Sequence, residues 1–285
     1  SQCCFVVYIS LNQEVMIQTT ASPLNTLSRL KGENLKLAYE NRVICEDLEL
    51  CIPDGKFTVI VGPNGCGKST LLRSLCRLLK PSEGQVCLDG KNIQKVPAKE
   101  LARELGLLPQ SSQAPDGIRV VDLVARGRYP HQKLFKQWSP DDQDAVYQAM
   151  EDTGVTELAE RQVDELSGGQ KQRVWIAMVL AQKTPIVLLD EPTTFLDLAH
   201  QIDLLELFRS LNREKNHTIV AVLHDLNQAC RYADHLIAFT GGEIVAQGEP
   251  KSLIDAALVK QVFGLDSVII DDPVSHTPLI VPLGK

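Results

Sequence analysis

Apolar positions along this chain switch between two periods, and the switches mark its organisation. Leu35–Tyr39 and Val43–Ile52 alternate apolar and polar residues, the pattern of half-buried strands, with Glu40-Asn41-Arg42 as a polar turn between them. Phe57–Val61 is a continuous, β-branched run of the kind buried on both faces of a sheet. It feeds a glycine-rich stretch, and Lys68–Leu79 then reads as a helix ending before Pro81. A further strand pair is expected around Gln85–Leu88, with Asp89-Gly90 as its turn. From about residue 97 to 164 the texture turns helical, punctuated by Pro115 and Pro130, with Ser139-Pro140-Asp141-Asp142 as a helix start. Lys171–Leu180 reads as another helix, and strands resume at Ile186–Asp190, Thr218–Leu223 and Leu236–Phe239. The pattern predicts an α/β fold with a sheet-based core and a helical insertion spanning roughly 100–170.

Composition narrows this little but excludes several classes. A length of 285 residues, 44% hydrophobic and 23% charged, suits one large α/β domain or two small ones of a soluble globular protein. The net charge of −7, with no block of lysines and arginines, argues against a nucleic-acid partner, which needs a basic footprint. The longest apolar runs are strand-length, far short of a membrane-spanning helix. Eight cysteines show no CxxC pair, so free thiols in a reducing compartment are expected, with Cys45, Cys51, Cys76 and Cys87 as small apolar filler. Residues 1–29 are expected to be an extension, with Met16 a natural start. The main domain then covers 30–265 and a tail covers 266–285, leaving no room for an appended regulatory domain.

Three short stretches carry chemistry. Gly62-Pro63-Asn64-Gly65-Cys66-Gly67-Lys68-Ser69, followed by Thr70, is a full phosphate-loop pattern between a strand and a helix. At average residue frequencies such a pattern arises by chance in about one chain in a hundred of this length, so the flanking strand and helix matter. The glycines let successive N–H groups converge on phosphate oxygens, Lys68 can reach the terminal phosphates, and Ser69 can ligand Mg²⁺. Asp190 and Glu191 end the apolar run Ile186–Leu189, where open α/β sheets place ligands. Adjacent strand positions face opposite ways, so the two acids can take separate roles: Asp190 toward the metal, Glu191 as general base. Leu166-Ser167-Gly168-Gly169-Gln170 opens a helix whose N-terminus can present N–H groups and a hydroxyl to an anion. A helix cap alone would not need both glycines and the glutamine.

In this order, the three stretches resemble the nucleotide-binding subunit of an ABC (ATP-binding cassette) transporter over about residues 30–250. The resemblance implies a phosphate-loop NTPase core with an N-terminal antiparallel β subdomain and an inserted helical subdomain. It assigns Ser167, Gly168, Gly169 and Gln170 to the ATP held by a second copy of the chain. It makes Gln110 the glutamine that approaches Mg²⁺ and the attacking water, and His224 the switch histidine at the γ-phosphate. Asp197, in Phe195-Leu196-Asp197, becomes the link between the two sites, and Tyr39 the ring that stacks on adenine. Alone, Gln110 reads as a surface amide, His224 as an exposed histidine, Asp197 as a helix cap and Tyr39 as a strand-end tyrosine. The other histidines, His200 among them, match no such position.

Within the family, the texture is most similar to importers of ferric siderophores and cobalamin. That likeness rests on Gly65-Cys66-Gly67, on Leu101-Ala102-Arg103 and Leu107-Leu108-Pro109-Gln110, on Val124–His131, and on His224-Asp225-Leu226-Asn227-Gln228-Ala229. It implies ATP and Mg²⁺ as ligands, and a peripheral place on the cytoplasmic face of the inner membrane. Permease subunits would dock near Arg126–His131, and a substrate-binding protein would act through them. A cobalamin or haem importer, an exporter ATPase, and a soluble ABC ATPase of DNA repair or translation remain as alternatives.

Overall fold

The computed structural model describes residues 28–39, 42–110, 112–132, 138–194 and 196–284. The expected extension up to residue 27 and most of the turn at 40–42 lie outside the described residues, as does Phe195.

Two antiparallel strands, β1 (Leu30–Tyr39) and β2 (Arg42–Ile52), form a four-stranded sheet with β4 (Glu83–Leu88) and β5 (Lys91–Asn92), in the order β2-β1-β4-β5. Between them in sequence come β3 (Phe57–Val61) and α1 (Lys68–Leu75). Strand β3 is buried at all five positions because it is central in a second, six-stranded sheet. That sheet also contains β6 (Leu105–Leu108), β7 (Ile186–Asp190), β8 (Thr218–Val222), β9 (His235–Thr240) and β10 (Glu243–Gly248), in the order β10-β9-β3-β8-β7-β6. All its pairings are parallel except that of β10 with β9. Parallel strands end at one edge, so the segments that follow β3, β6, β7 and β8 emerge together. This registry builds the site.

One face of the parallel sheet packs on α1 and the antiparallel sheet, with Leu71, Leu72 and Leu75 fully buried against Leu35, Leu37 and Ile60. The other face is covered by α6 (Leu198–Lys215), α7 (Leu226–Tyr232) and α9 (Ala256–Phe263), around Phe208. A third core joins α3 (Val120–Ala125), α4 (Pro140–Asp152) and α5 (Gly168–Ala181) into the helical lobe. The short α2 (Ala98–Glu104) and α8 (Pro250–Leu253) complete the helices, and a hairpin of β11 (Ser267–Asp271) and β12 (Pro278–Pro282) follows α9.

The expected α/β architecture is present, with three adjustments. Helix α1 stops at Leu75 rather than Leu79, because Arg77 turns left-handed (φ 66°) and Leu78 and Leu79 both donate back to the Arg73 carbonyl. The stretch read as helical from about residue 100 includes β6, which belongs to the parallel sheet; the helical lobe begins after it. Cys51 is exposed, not filler: it faces outward on β2, where alternate residues point to solvent. Cys45 and Cys87 are buried, and all described cysteines are free thiols.

Candidate active site

The loop after β3 is shaped by contacts that leave no room for side chains. A Cβ at Gly62 would collide with the Phe239 carbonyl, and one at Gly67 with Ile44; Gly67 also has φ 106°. The loop encloses the Lys68 ammonium, which donates to the Gly62 and Pro63 carbonyls at 2.9 and 2.8 Å and is almost wholly buried. The Cys66 thiol lies 3.2 Å from the Phe239 carbonyl, and burial pushes it up. The loop borders a cleft of about 520 Å³ that brings together Asn64, Gly65, Lys68, Ser69 and Thr70 with Gln110, Glu191 and His224. Tyr39 is half-exposed at its mouth beside Arg42 and Ile44.

The two acids differ in setting, though not as adjacent strand positions would. Asp190 ends β7 and is buried; its Oδ1 accepts from the Ser69 hydroxyl at 2.7 Å. Its Oδ2 is buried without a hydrogen-bond partner among the described residues, and the Arg73 guanidinium stays 3.9 Å away. Burial pushes this carboxyl above the usual range, and Ser69 and Arg73 offset that only in part. A buried, unpartnered carboxylate oxygen beside a serine hydroxyl suits a hard divalent cation such as Mg²⁺, which takes one or two protein oxygens and completes its shell with water and phosphate. Among the described residues no cluster of acids, cysteines or histidines offers a fuller metal cage.

Glu191 lies just past the strand, and a left-handed backbone (φ 53°) turns it into the cleft. There its Oε2 accepts from Gln110 Nε2 at 2.7 Å and meets His224 Nε2 at 2.8 Å. Two residues from neighbouring strand ends thus converge on the carboxylate of a third. The arrangement can hold a water and accept its proton.

Ser167 caps α5: its hydroxyl accepts from the Gln170 N–H, and the Gln170 side chain accepts from the Ser167 N–H. Ser167 and Gly168 are exposed, and neither they nor Gly169 and Gln170 border the cleft. Asp197 caps α6, bonded to the His200 N–H at 2.9 Å and the His200 ring at 2.6 Å, and is likewise outside the cleft. These residues present N–H groups and a hydroxyl to solvent, away from the chain's own phosphate loop.

Sequence reasoning passed over the groups that join these parts. Gln201, on α6, donates to the carbonyls of Leu196 (2.9 Å) and Thr193 (3.3 Å), and accepts from Gln228 of α7 at 2.7 Å. Gln172 of α5 donates to the Pro192 carbonyl at 2.9 Å. The loop after Glu191 is therefore held from α5, from α6, and through Gln228 from α7. Isolated glutamines carry no pattern that sequence could flag. Arg42 was also missed, though its place one turn from Tyr39 pointed to the cleft.

The stretch 126–131, near which the resemblance places permease docking, is only partly exposed. Arg128 is buried, pairs with Asp142 at 2.8 Å and donates to the Ala181 carbonyl, because Gly127 packs against Met178 and draws the chain inward. Arg126 and Tyr129 do face out, beside Trp138.

The family model described as ABC transporter matches residues 45–194. The ferric enterobactin transport ATP-binding protein of Escherichia coli (strain K12) is 60% identical over 91% of this chain and 96% of its own length. The achromobactin transport ATP-binding protein of Dickeya dadantii (strain 3937) is 54% identical, with the same coverage of both. A dimeric ATP-binding cassette solved in a post-hydrolysis state with ADP and Pi superposes with a TM-score of 0.67 at 29% identity, covering 77% of this chain and 98% of that one. The chain belongs to the ABC transporter family, as one of its ATP-binding, ATP-hydrolysing subunits.

Proposed function

We propose that this chain powers the import of ferric siderophores, as a pair of copies that close on two ATP molecules and drive a membrane permease. The convergence of Gln110 and His224 on Glu191, facing the phosphate loop, supports the hydrolytic half of this reading. The two relatives named for transport of ferric enterobactin and of achromobactin, similar along nearly the whole chain, support the substrate.

The adenine ring stacks on Tyr39, and the terminal phosphates lie against the amides of Gly65 to Thr70 and the Lys68 ammonium. Ser69 and Asp190, with Gln110, would hold Mg²⁺, which would neutralise charge on the phosphate oxygens. Glu191 orients a water and takes its proton as the oxygen bonds to the γ-phosphorus. The bond to the bridging oxygen breaks, leaving ADP and phosphate. His224 holds the Glu191 carboxylate and senses the γ-phosphate. Ser167, Gly168, Gly169 and Gln170 of each copy complete the neighbour's site, since they stand outside their own cleft and open to solvent. Asp197 lies between the two. Closure then moves the helical lobe. A permease segment docks on Arg126, Tyr129 and Trp138, with Arg128 bracing that surface from inside. The pair sits peripherally on the cytoplasmic face of the inner membrane, and a substrate-binding protein delivers the ligand to the permease. Among the described residues, no helix is long and apolar enough to cross a membrane.

The deciding experiment reconstitutes the chain with its co-purifying permease in vesicles and measures ATP-dependent uptake. Radiolabelled ferric catecholate or hydroxamate chelates should accumulate. Accumulation of cobalamin or haem instead would overturn the substrate, and co-purification with nucleic acid or ribosomes would overturn transport altogether.

A further inference from the structure

The C-terminal hairpin has one closed edge and one open edge. In an antiparallel pair, alternate residues turn their N–H and C=O groups toward the partner strand and the others turn them away. The Asp272 N–H bonds the Thr277 carbonyl and the Leu283 N–H bonds the Asp266 carbonyl, so the even-numbered positions of β11 face β12. On β12 the outward positions are then 278, 280 and 282. Two of these are prolines without an N–H, and both backbone groups of the third, Ile280, are bonded by the Asn227 side chain at 2.7 and 3.2 Å. That edge is sealed.

On β11 the outward positions are Ser267, Ile269 and Asp271. Their N–H and C=O groups have no partner among the described residues; Ser267 is buried, Ile269 half-buried and Asp271 exposed, so the edge is open from Ile269 onward. No proline, lysine or bulge guards this edge, although unguarded edges invite pairing with another strand. The hairpin face beside it is apolar and exposed: Val268 is 44% exposed, Ile270 48% and Val281 37%.

We propose that β11 is a contact between two copies of this chain, pairing antiparallel with its own symmetry mate about Ile269. Three observations favour a second copy. Five residues with a central outward position can pair with themselves about a two-fold axis, the isologous arrangement of a symmetric dimer. The adjoining face carries valine and isoleucine, with Asp272 paired to Arg231 and Asp271 in contact with the His276 ring, so a second copy of the same face meets it as mainly apolar surface. The hairpin is also bolted through Asn227 and Arg231 to α7, which begins two residues after His224, and so continues from the cleft that the partner copy closes. A strand-sized contact by itself makes only a weak dimer. Its effect is to keep two opened copies close, so that each new pair of ATP molecules closes a site already at high effective concentration.

This inference rests on the paired-copy reading above, and its test is separable from it. In the proposed register, position 268 of one copy lies directly across from position 270 of the other, on one face. Val268→Lys with Ile270→Lys sets like charges opposite at two symmetry-related places. That should weaken nucleotide-free self-association of the full chain by about tenfold or more, read by sedimentation equilibrium. Val268→Lys with Ile270→Glu should restore it, since each lysine then meets a glutamate. Hydrogen exchange at the Ile269 and Asp271 amides should slow with protein concentration in the parent only. ATP-driven dimerisation of a Glu191→Gln background reports independently on the paired-copy reading, and the same variants show that the fold survives. Failure of the charge pair to restore association overturns the proposal. So does concentration-independent exchange, or slowed exchange that vanishes when residues 1–27 are removed; the last would assign the edge to the chain's own N-terminal segment. Protection that appears only when permease is added would give it to another chain.

Discussion

Replacing Glu191 by glutamine keeps the shape of the side chain and removes its charge and its capacity to take a proton. The parent carboxylate accepts from Gln110 at 2.7 Å and meets His224 at 2.8 Å. A positioned general base contributes about 10²–10⁴-fold, or about 3–5 kcal/mol of barrier. The substitution also turns two hydrogen bonds to a charged acceptor into neutral ones, each weaker by about 1 kcal/mol. Those losses fall on the resting state as well, so they add little to the barrier. The expected result is a fall in steady-state phosphate release of at least about 10²-fold, with ATP binding intact. Because hydrolysis no longer opens the pair, the variant should run as a dimer with ATP and as a monomer with ADP in size-exclusion chromatography at low concentration. Gln110→Ala leaves His224 on the carboxylate and should cost less than Glu191→Gln. Turnover of Glu191→Gln within about threefold of the parent would refute the assignment, since a lost general base cannot cost less than tenfold.

Arg128→Ala should destabilise the chain by about 3–5 kcal/mol in urea unfolding, because it strands a buried Asp142 carboxylate. Burial pushes the Asp142 carboxyl up, but Arg128 and Ser139 outweigh that and hold it below its ordinary value. Its contribution is therefore present above the ordinary carboxylate range and is lost as pH falls through the depressed value, so Arg128→Ala should flatten acid unfolding below about pH 4; a stability loss under 1 kcal/mol with transport abolished would return Arg128 to the docking surface. Asp190→Asn removes a buried charge without a full set of partners, and should stabilise the nucleotide-free chain by about 1–3 kcal/mol while abolishing the extra melting shift that Mg²⁺ gives with ATP; a retained Mg²⁺-dependent shift would move the metal elsewhere. Gln201→Leu cuts two bonds to the loop that carries Glu191 and should lower kcat with little change in KM for ATP; an equal effect from Gln228→Leu would show that the link to α7 matters, and no effect from either would reduce both to packing.

Much of this was readable in advance because the chemistry is local. The phosphate loop, the strand feeding Asp190 and the Ser167 cap each depend on neighbours within a few residues, so spacing alone revealed them. Gln110 and His224 were found only by likeness to the family; what makes them chemical is that β6, β7 and β8 are parallel neighbours ending at one edge, which spacing does not show. Misreadings arose where tertiary contacts overrule local texture. The burial of Arg128 is not visible in its neighbours along the chain: Gly127 meets Met178 and draws it inward. Strand β6 is only four residues long, too short to stand out between helix signals. The open edge of β11 depends on which backbone groups β12 and Asn227 have already taken.

The left-handed backbone at Glu191 sets a conflict between durability and work. A non-glycine residue at φ 53° costs about 1–3 kcal/mol, and the fold bears that cost at rest as well as during turnover. Glycine would relieve it, and asparagine nearly so. A library screened for heat resistance alone should therefore drift to those residues at position 191, and every protein so improved would bind ATP and move nothing.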